Sequence, residues 1–173
     1  PEVHVIHSDI RDVTPEQILP YIPEEGIDLV TSGMPCETFS TAGNSSRAAY
    51  DDRQFLFREG IRIAQIVNAK MILFENVPNI QNKRVAKDSD ELVIDYLKKE
   101  LTDAGYGNFK EFVLDASKYG VPQRRHRFFI LASRNATWKI SSPPISTEKE
   151  VTVKEAFIDI PAVKANTWKE NSR

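Results

Sequence analysis

Apolar and polar residues alternate through Val3-His4-Val5-Ile6-His7, a period of two that predicts a strand ending in the polar turn Ser8-Asp9-Ile10. Thr14-Pro15-Glu16-Gln17 supplies a capping threonine, proline at the first helical position and an acid in the first turn, so a short helix should reach about Tyr21. Pro23 and Gly26 break the chain before a second strand, Ile27 to Thr31. Met34 to Arg53 has no period and reads as a long loop, a kind more often functional than not. From Phe55 to Ala69 the spacing becomes helical, with Arg58, Arg62 and Gln65 as a polar stripe and Leu56, Ile63, Ile66 and Val67 facing inward. Met71-Ile72-Leu73-Phe74 is a continuous apolar run, the mark of a strand buried on both faces of a parallel sheet. It ends in Glu75-Asn76-Val77-Pro78.

Asp88 to Ala104 is amphipathic, with Val93, Tyr96, Leu97, Leu101 and Ala104 on one side and Gly105 as its stop. Phe109 to Leu114 and Phe128 to Ala132 read as strands, separated by Tyr119-Gly120-Val121-Pro122-Gln123-Arg124-Arg125-His126-Arg127. After Pro143-Pro144 one short helix is expected, Val153 to Ile158. Strands alternating with helices argue for an open α/β sheet, in which ligands sit beyond the carboxyl ends of the strands. Asp9, Cys36 and Glu75 each fall just past a predicted strand, so the fold should gather them along one edge.

The length of 173 residues suits one domain with a real core, and 40% hydrophobic against 28% charged residues is a globular balance. No apolar run approaches the roughly 18 residues that span a bilayer, and no secretion signal opens the chain. A single cysteine excludes an internal disulfide and a multi-cysteine zinc site, and no metal site is expected. A net charge of −2 means that any nucleic-acid footprint must be local. The chain opens at Pro1 inside a predicted strand, as would follow from loss of an initiator methionine or from its being a piece of something longer.

Cys36, on a loop leaving a strand, is a candidate nucleophile; alternatively it is a small buried residue. Positive neighbours such as Arg125 and Arg127 would favour its thiolate. Glu75 is a candidate acid or hydrogen-bonding anchor, provided that burial raises its pKa, or else a strand-end carboxylate with a capping role. Arg124 to Arg127 is either a solvated basic turn or a recognition element; in an extended segment Arg125 and Arg127 share one face.

Together these stretches resemble the DNA (cytosine-5) methyltransferase family. Pro35-Cys36-Glu37-Thr38-Phe39-Ser40 is similar to its nucleophile motif, Glu75-Asn76-Val77 to its Glu-Asn-Val motif, and Gln123-Arg124-Arg125-His126-Arg127 to its Gln-x-Arg-x-Arg motif. Asp51-Asp52-Arg53 with Leu56-Phe57 resembles the segment opening the helix after the catalytic loop, and Ser8-Asp9-Ile10 the element that meets the cofactor's adenine. Val151 to Pro161 resembles the lead-in to a target recognition domain.

The resemblance implies a partial Rossmann-like S-adenosylmethionine-dependent methyltransferase fold, mostly parallel with an antiparallel final strand. It implies a partial catalytic domain over residues 1–140 and a largely irregular lead-in over 141–173. Cys36 would attack C6 of a cytosine flipped out of double-stranded DNA, Glu75 would hold the exocyclic amine and N3, Arg125 would contact O2, and Arg127 would orient Glu75 and the loop. S-adenosylmethionine would donate the methyl group to C5, meeting Asp9, Ile10, Pro35 and Leu56. Ser40, Arg53 and Gln123 would touch DNA. A cytoplasmic enzyme of bacterial or phage restriction–modification type is the implied setting.

The family's Phe-x-Gly-x-Gly element, the acid that holds the ribose, the recognition domain and the final motifs have no counterpart here, and Met34 and Glu37 replace the usual proline and glutamine. The chain by itself is therefore expected not to methylate DNA and to need missing segments or a complementary chain. A transfer-RNA cytosine-5 methyltransferase is the nearest alternative, although that branch usually carries threonine where Ser40 stands. A non-catalytic regulatory or assembly subunit of the same fold is another. A Cys-His hydrolase is poorly supported, since His4, His7 and His126 have no recognisable spacing to Cys36.

Overall fold

The computed structural model describes residues 3–35, 52–86, 88–139, 142–147 and 149–161. It divides into two compact units, one made of Pro1–Leu114 with His126–Pro144, the other of Asp115–Arg125 with Ile145–Arg173.

The first unit is built on strands β1 (Leu29–Gly33), β2 (Met71–Asn76), β3 (Asn108–Asp115, whose last residue belongs to the second unit) and β4 (His126–Ser133), in the spatial order β1-β2-β4-β3. β1 runs parallel to β2, with Gly33 opposite Glu75, and β2 runs antiparallel to β4, with Glu75 opposite Phe129. The described sheet is thus mixed, and the antiparallel final strand is as expected. Helix α1 (Pro15–Ile18) starts in a capping box of Thr14 and Gln17 and tightens into a 3-10 turn, Leu19–Tyr21. Helix α2 (Phe57–Ile66) links β1 to β2 and buries Phe57, Gly60, Ile61 and Ala64. Helix α3 (Val93–Asp103) buries Val93, Ile94, Leu97 and Leu101 and stops before Gly105, whose φ of +89° is glycine's to adopt.

Several expectations need correction. Val3–His7 is not a strand; Val3 and Val5 are more than four-fifths exposed, and alternation without a ladder neighbour makes no sheet. β1 lies two residues later than its apolar run suggests. β2 is not buried on both faces: Ile72, Phe74 and Asn76 are buried, whereas Met71, Leu73 and Glu75 are half-buried. Glu75 consequently belongs to the strand instead of following it. The inward face of α2 is rotated from the expected one, with Leu56 and Ile63 half-buried, because Gly60 and Ala64 allow a closer approach than larger residues would. That approach is tight. A Cβ on Gly60 would sit 2.8 Å from both the Phe74 ring and Ser32 Oγ.

In the second unit Asp115 caps a 3-10 turn, Ala116–Tyr119, by accepting from Ser117 N–H at 3.1 Å. Gly120, at φ +81°, ends the turn. Helix α4 (Val153–Ala156) is shorter than expected and opens with a capping box between Thr152 and Glu155. Among the described residues no helix is long and apolar enough to cross a membrane.

Candidate active site

The strand register builds the site around Glu75. Its neighbours are Gly33 on one side and Phe129 on the other. Arg127 lies two residues before Phe129, hence on the same sheet face and diagonal to Glu75. The Arg127 Nε stands 2.6 Å from Glu75 Oε1, and its Nη1 donates to the His126 carbonyl at 2.8 Å. The guanidinium side chain is only 19% exposed, so it is held on two sides, whereas Glu75 is 37% exposed. Glu75 is therefore a partly open carboxylate fixed by a cation, not one enclosed by apolar groups, and this suits an anchor better than an acid that needs burial.

Two neighbours of Glu75 escaped the sequence reading as site residues. Gly33 stands opposite Glu75, and a Cβ there would lie 3.8 Å from Glu75 Oε2, an ordinary contact distance, so among the described residues no side chain at this position covers that oxygen. No local pattern announces this, because it depends on register. Asn76 is buried; its Oδ1 accepts from the Val77 N–H at 2.8 Å and turns the chain out of β2. Its Nδ2 has no hydrogen-bond partner among the described residues. The Glu-Asn-Val motif contained that signal.

Pro35 is exposed and follows the buried Met34, two positions past the Gly33–Glu75 register pair. Cys36 and Ser40, the expected nucleophile and one expected DNA contact, lie outside the described residues. Leu56 is half-buried at the start of α2, and Arg53 is exposed in the 3-10 turn Asp52–Phe55 just before it. Asp9 caps a 3-10 turn, Ile10–Asp12. Its Oδ1 accepts from Arg11 N at 3.0 Å and Arg11 Nε at 2.9 Å, and its Oδ2 from Arg11 Nη2 at 2.6 Å. The Arg11 guanidinium and amide hold this carboxyl well below the usual carboxylate range. Gln123 and Arg125 belong to the second unit and are exposed. There the Arg125 amide donates to Asp115 Oδ1 at 3.1 Å and its carbonyl accepts from Ala116 N–H at 3.0 Å, so the backbone at Arg125 is fastened to the Asp115 turn. No cluster of potential metal ligands occurs among the described residues.

Residues 2–173 match the family model described as C-5 cytosine-specific DNA methylase. The chain belongs to that family. Within it, the chain is 35% identical over 160 residues to Type II methyltransferase M.Eco47II of Escherichia coli, covering 91% of this chain and 36% of that protein. It is 32% identical over 170 residues to Type II methyltransferase M.DdeI of Desulfomicrobium norvegicum, covering 95% and 39% respectively. The chain thus spans well under half the length of these curated relatives. Among solved structures, it resembles a prophage-encoded protein of E. coli described as a DNA modification methyltransferase, with TM-score 0.65, 24% identity and coverage of 90% of this chain and 42% of that one. It also resembles DNMT2 of Spodoptera frugiperda, with TM-score 0.55, 25% identity and coverage of 88% and 43%. The fold is that of S-adenosylmethionine-dependent methyltransferases. In this member of the family, the Glu75–Arg127 pair lies at the carboxyl end of β2, the end at which open α/β sheets bind ligands.

Proposed function

We propose that the protein to which this chain belongs methylates C5 of a cytosine in double-stranded DNA, after the base is flipped from the duplex. The observation that carries this reading is the Glu75–Arg127 pair, set in register beside Gly33, from which the chain continues into Pro35-Cys36. Its shape is a carboxylate anchored at one oxygen and open at the other, suited to the paired N–H groups that a cytosine edge presents once N3 is protonated.

The Cys36 thiolate forms a bond to C6, and the ring electrons displaced by that attack make C5 nucleophilic. Glu75 holds the exocyclic amine and N3, Arg127 holds Glu75, and Arg125 contacts O2, where negative charge develops. S-adenosylmethionine, when bound, would supply the electrophilic methyl group that C5 accepts, its sulfonium leaving as the neutral thioether S-adenosylhomocysteine. Loss of the C5 proton then re-forms the C5–C6 double bond and expels Cys36 as thiolate.

The described residues fit the adenosyl end of that cofactor. A carboxylate offers about four acceptor positions, and Arg11 fills three at Asp9, leaving one on Oδ2 for a purine amine. Ile10, 39% exposed, offers an apolar surface beside it, with Leu56 and Pro35 as further contacts. Ser40, Arg53 and Gln123 are assigned to DNA. Residues 1–140 are assigned to a partial catalytic domain and 141–173 to a lead-in toward a recognition domain. The bacterial Type II methyltransferases among the relatives support a restriction–modification role in the bacterial cytoplasm.

Duplex DNA containing 5-fluorocytosine tests the reading. The full-length protein with cofactor should form an adduct that survives denaturation, and Cys36→Ala should form none. No adduct from the unaltered protein on DNA, or an adduct on transfer RNA instead, would overturn it.

A further inference from the structure

Arg62 was expected to be one member of a solvated stripe on α2, and the structure gives it a different job. Its Nη2 donates to the Ile10 carbonyl at 2.6 Å, its Nη1 to the Val13 carbonyl at 2.8 Å, and its Nε to Glu59 Oε2 at 2.7 Å. Each of the three guanidinium nitrogens donates to a different acceptor. Two of its acceptors are main-chain carbonyls of the turn that contains Asp9 and Ile10, so side-chain chemistry in the turn does not create the attachment. The same turn is closed internally by Asp12 N–H donating to the Asp9 carbonyl at 2.9 Å and by the Asp9–Arg11 pair. It is a small rigid piece, and Arg62 fastens it to α2.

The position of the fastening matters. Leu56 opens α2, and Arg62 stands six residues along, about 9 Å further at 1.5 Å per residue. One arginine thereby ties the turn that carries Asp9 and Ile10 to the helix that Leu56 opens. The exposed side chain of Ile10 is left on a backbone whose carbonyl is already claimed.

We infer that Arg62 is a positioning residue for adenine recognition, holding the Asp9–Ile10 turn at a fixed distance from Leu56. The inference rests on the cofactor reading given above. Glu59 is part of the device, since it orients the guanidinium through Nε while the two η nitrogens reach across. Lysine could not replace it fully, because a point charge makes one of these bonds where a planar fork makes both.

The test uses the full-length protein and two ligands, S-adenosylhomocysteine and its hypoxanthine counterpart S-inosylhomocysteine, with amide exchange at residues 10–13 and urea unfolding alongside. Arg62→Met keeps the aliphatic stem and removes both carbonyl bonds. Affinity for the adenine ligand should fall about tenfold or more, preference over the hypoxanthine ligand should collapse toward one, and exchange at 10–13 should quicken. Arg62→Lys should recover part of the preference. Should Arg62→Met not fold, Glu59→Ala should show the same loss of preference at smaller size. Equal weakening of both ligands with the preference intact would mean a merely structural arginine and overturn the proposal, as would unchanged binding and exchange. If the unaltered protein binds neither ligand, the cofactor reading itself is wrong and the proposal falls with it. Binding by the unaltered protein separates that failure from failure at Arg62.

Discussion

Arg127 and Glu75 meet diagonally across the antiparallel β2–β4 ladder, Nε to Oε1 at 2.6 Å, with the arginine the more buried partner. The pairing leaves one carboxylate oxygen engaged and the other facing the side-chain-free position at Gly33. An anchor of this kind orients without needing a second protein contact on the open oxygen.

Releasing the anchor should affect chemistry more than stability. In the full-length enzyme, Arg127→Met should lower the rate of methyl transfer about 100-fold, the scale of losing one preorganised electrostatic contact. Unfolding should shift by no more than about 1 kcal/mol, because Glu75 is partly exposed and solvent screens the pair. Single-turnover methylation and urea unfolding check the two halves. A rate within twofold of the unaltered enzyme would show that Glu75 does not depend on Arg127.

Gly60 is the contact point between α2 and the sheet. Alanine is the better helix former by about 1 kcal/mol. Its Cβ, however, would sit 2.8 Å from the Phe74 ring and from Ser32 Oγ, and Phe74 is buried with nowhere to retreat. Overpacking costs about 1–3 kcal/mol, so Gly60→Ala should be destabilising on balance. A lower urea midpoint is the expected outcome; a higher one would mean that the helix can slide outward.

Tyr106 is fully buried, and its hydroxyl reaches the Ala69 carbonyl at 2.8 Å and the Ala64 carbonyl at 3.2 Å, sealing the end of α2. Tyr106→Phe should cost about 1–2 kcal/mol by stranding a buried acceptor. Burial also pushes the phenol up from its ordinary value of 10.0. Above pH 10 the unfolded chain gives up this proton before the folded one does, so the stabilisation is complete below that pH and fades as pH rises through the folded value. Phenylalanine at this position should flatten that alkaline decline.

Glu155 behaves in the opposite direction. Its carboxylate is drawn down to about 2, first by Lys149 and then by the Thr152 amide and hydroxyl of the capping box. A depressed carboxylate stabilises above its unfolded value of 4.5 and loses that contribution as pH falls toward 2. The protection of the α4 amides, that is, exchange relative to the intrinsic rate at each pH, should therefore fall between pH 5 and 2. Glu155→Gln should remove most of that pH dependence.

Much of the fold was legible because it is locally encoded. The Thr14–Gln17 cap, the stop at Gly105, the paired strands after α3 and the helical spacing of α2 all follow from short-range sterics and hydrogen bonding. Val3–His7 misled because alternation records only that two faces differ, not that a neighbour is present to complete a ladder. Met71–Phe74 misled for a related reason: a run of apolar residues does not say which face the helices cover. Arg62 looked like solvent-facing charge, because carbonyl acceptors on a distant turn leave no mark in side-chain pattern.

The sequence by itself determined the family motifs, their order, and the alternation of strands with helices, since each depends on neighbours a few positions away. Only the tertiary structure decided that Glu75 lies between Gly33 and the diagonal Arg127, and that Arg62 binds the turn at Ile10 to α2. Those relations rest on strand register and on long-range main-chain acceptors. Local periodicity cannot specify either, because shifting a ladder by two residues keeps every side chain on its face while changing every partner.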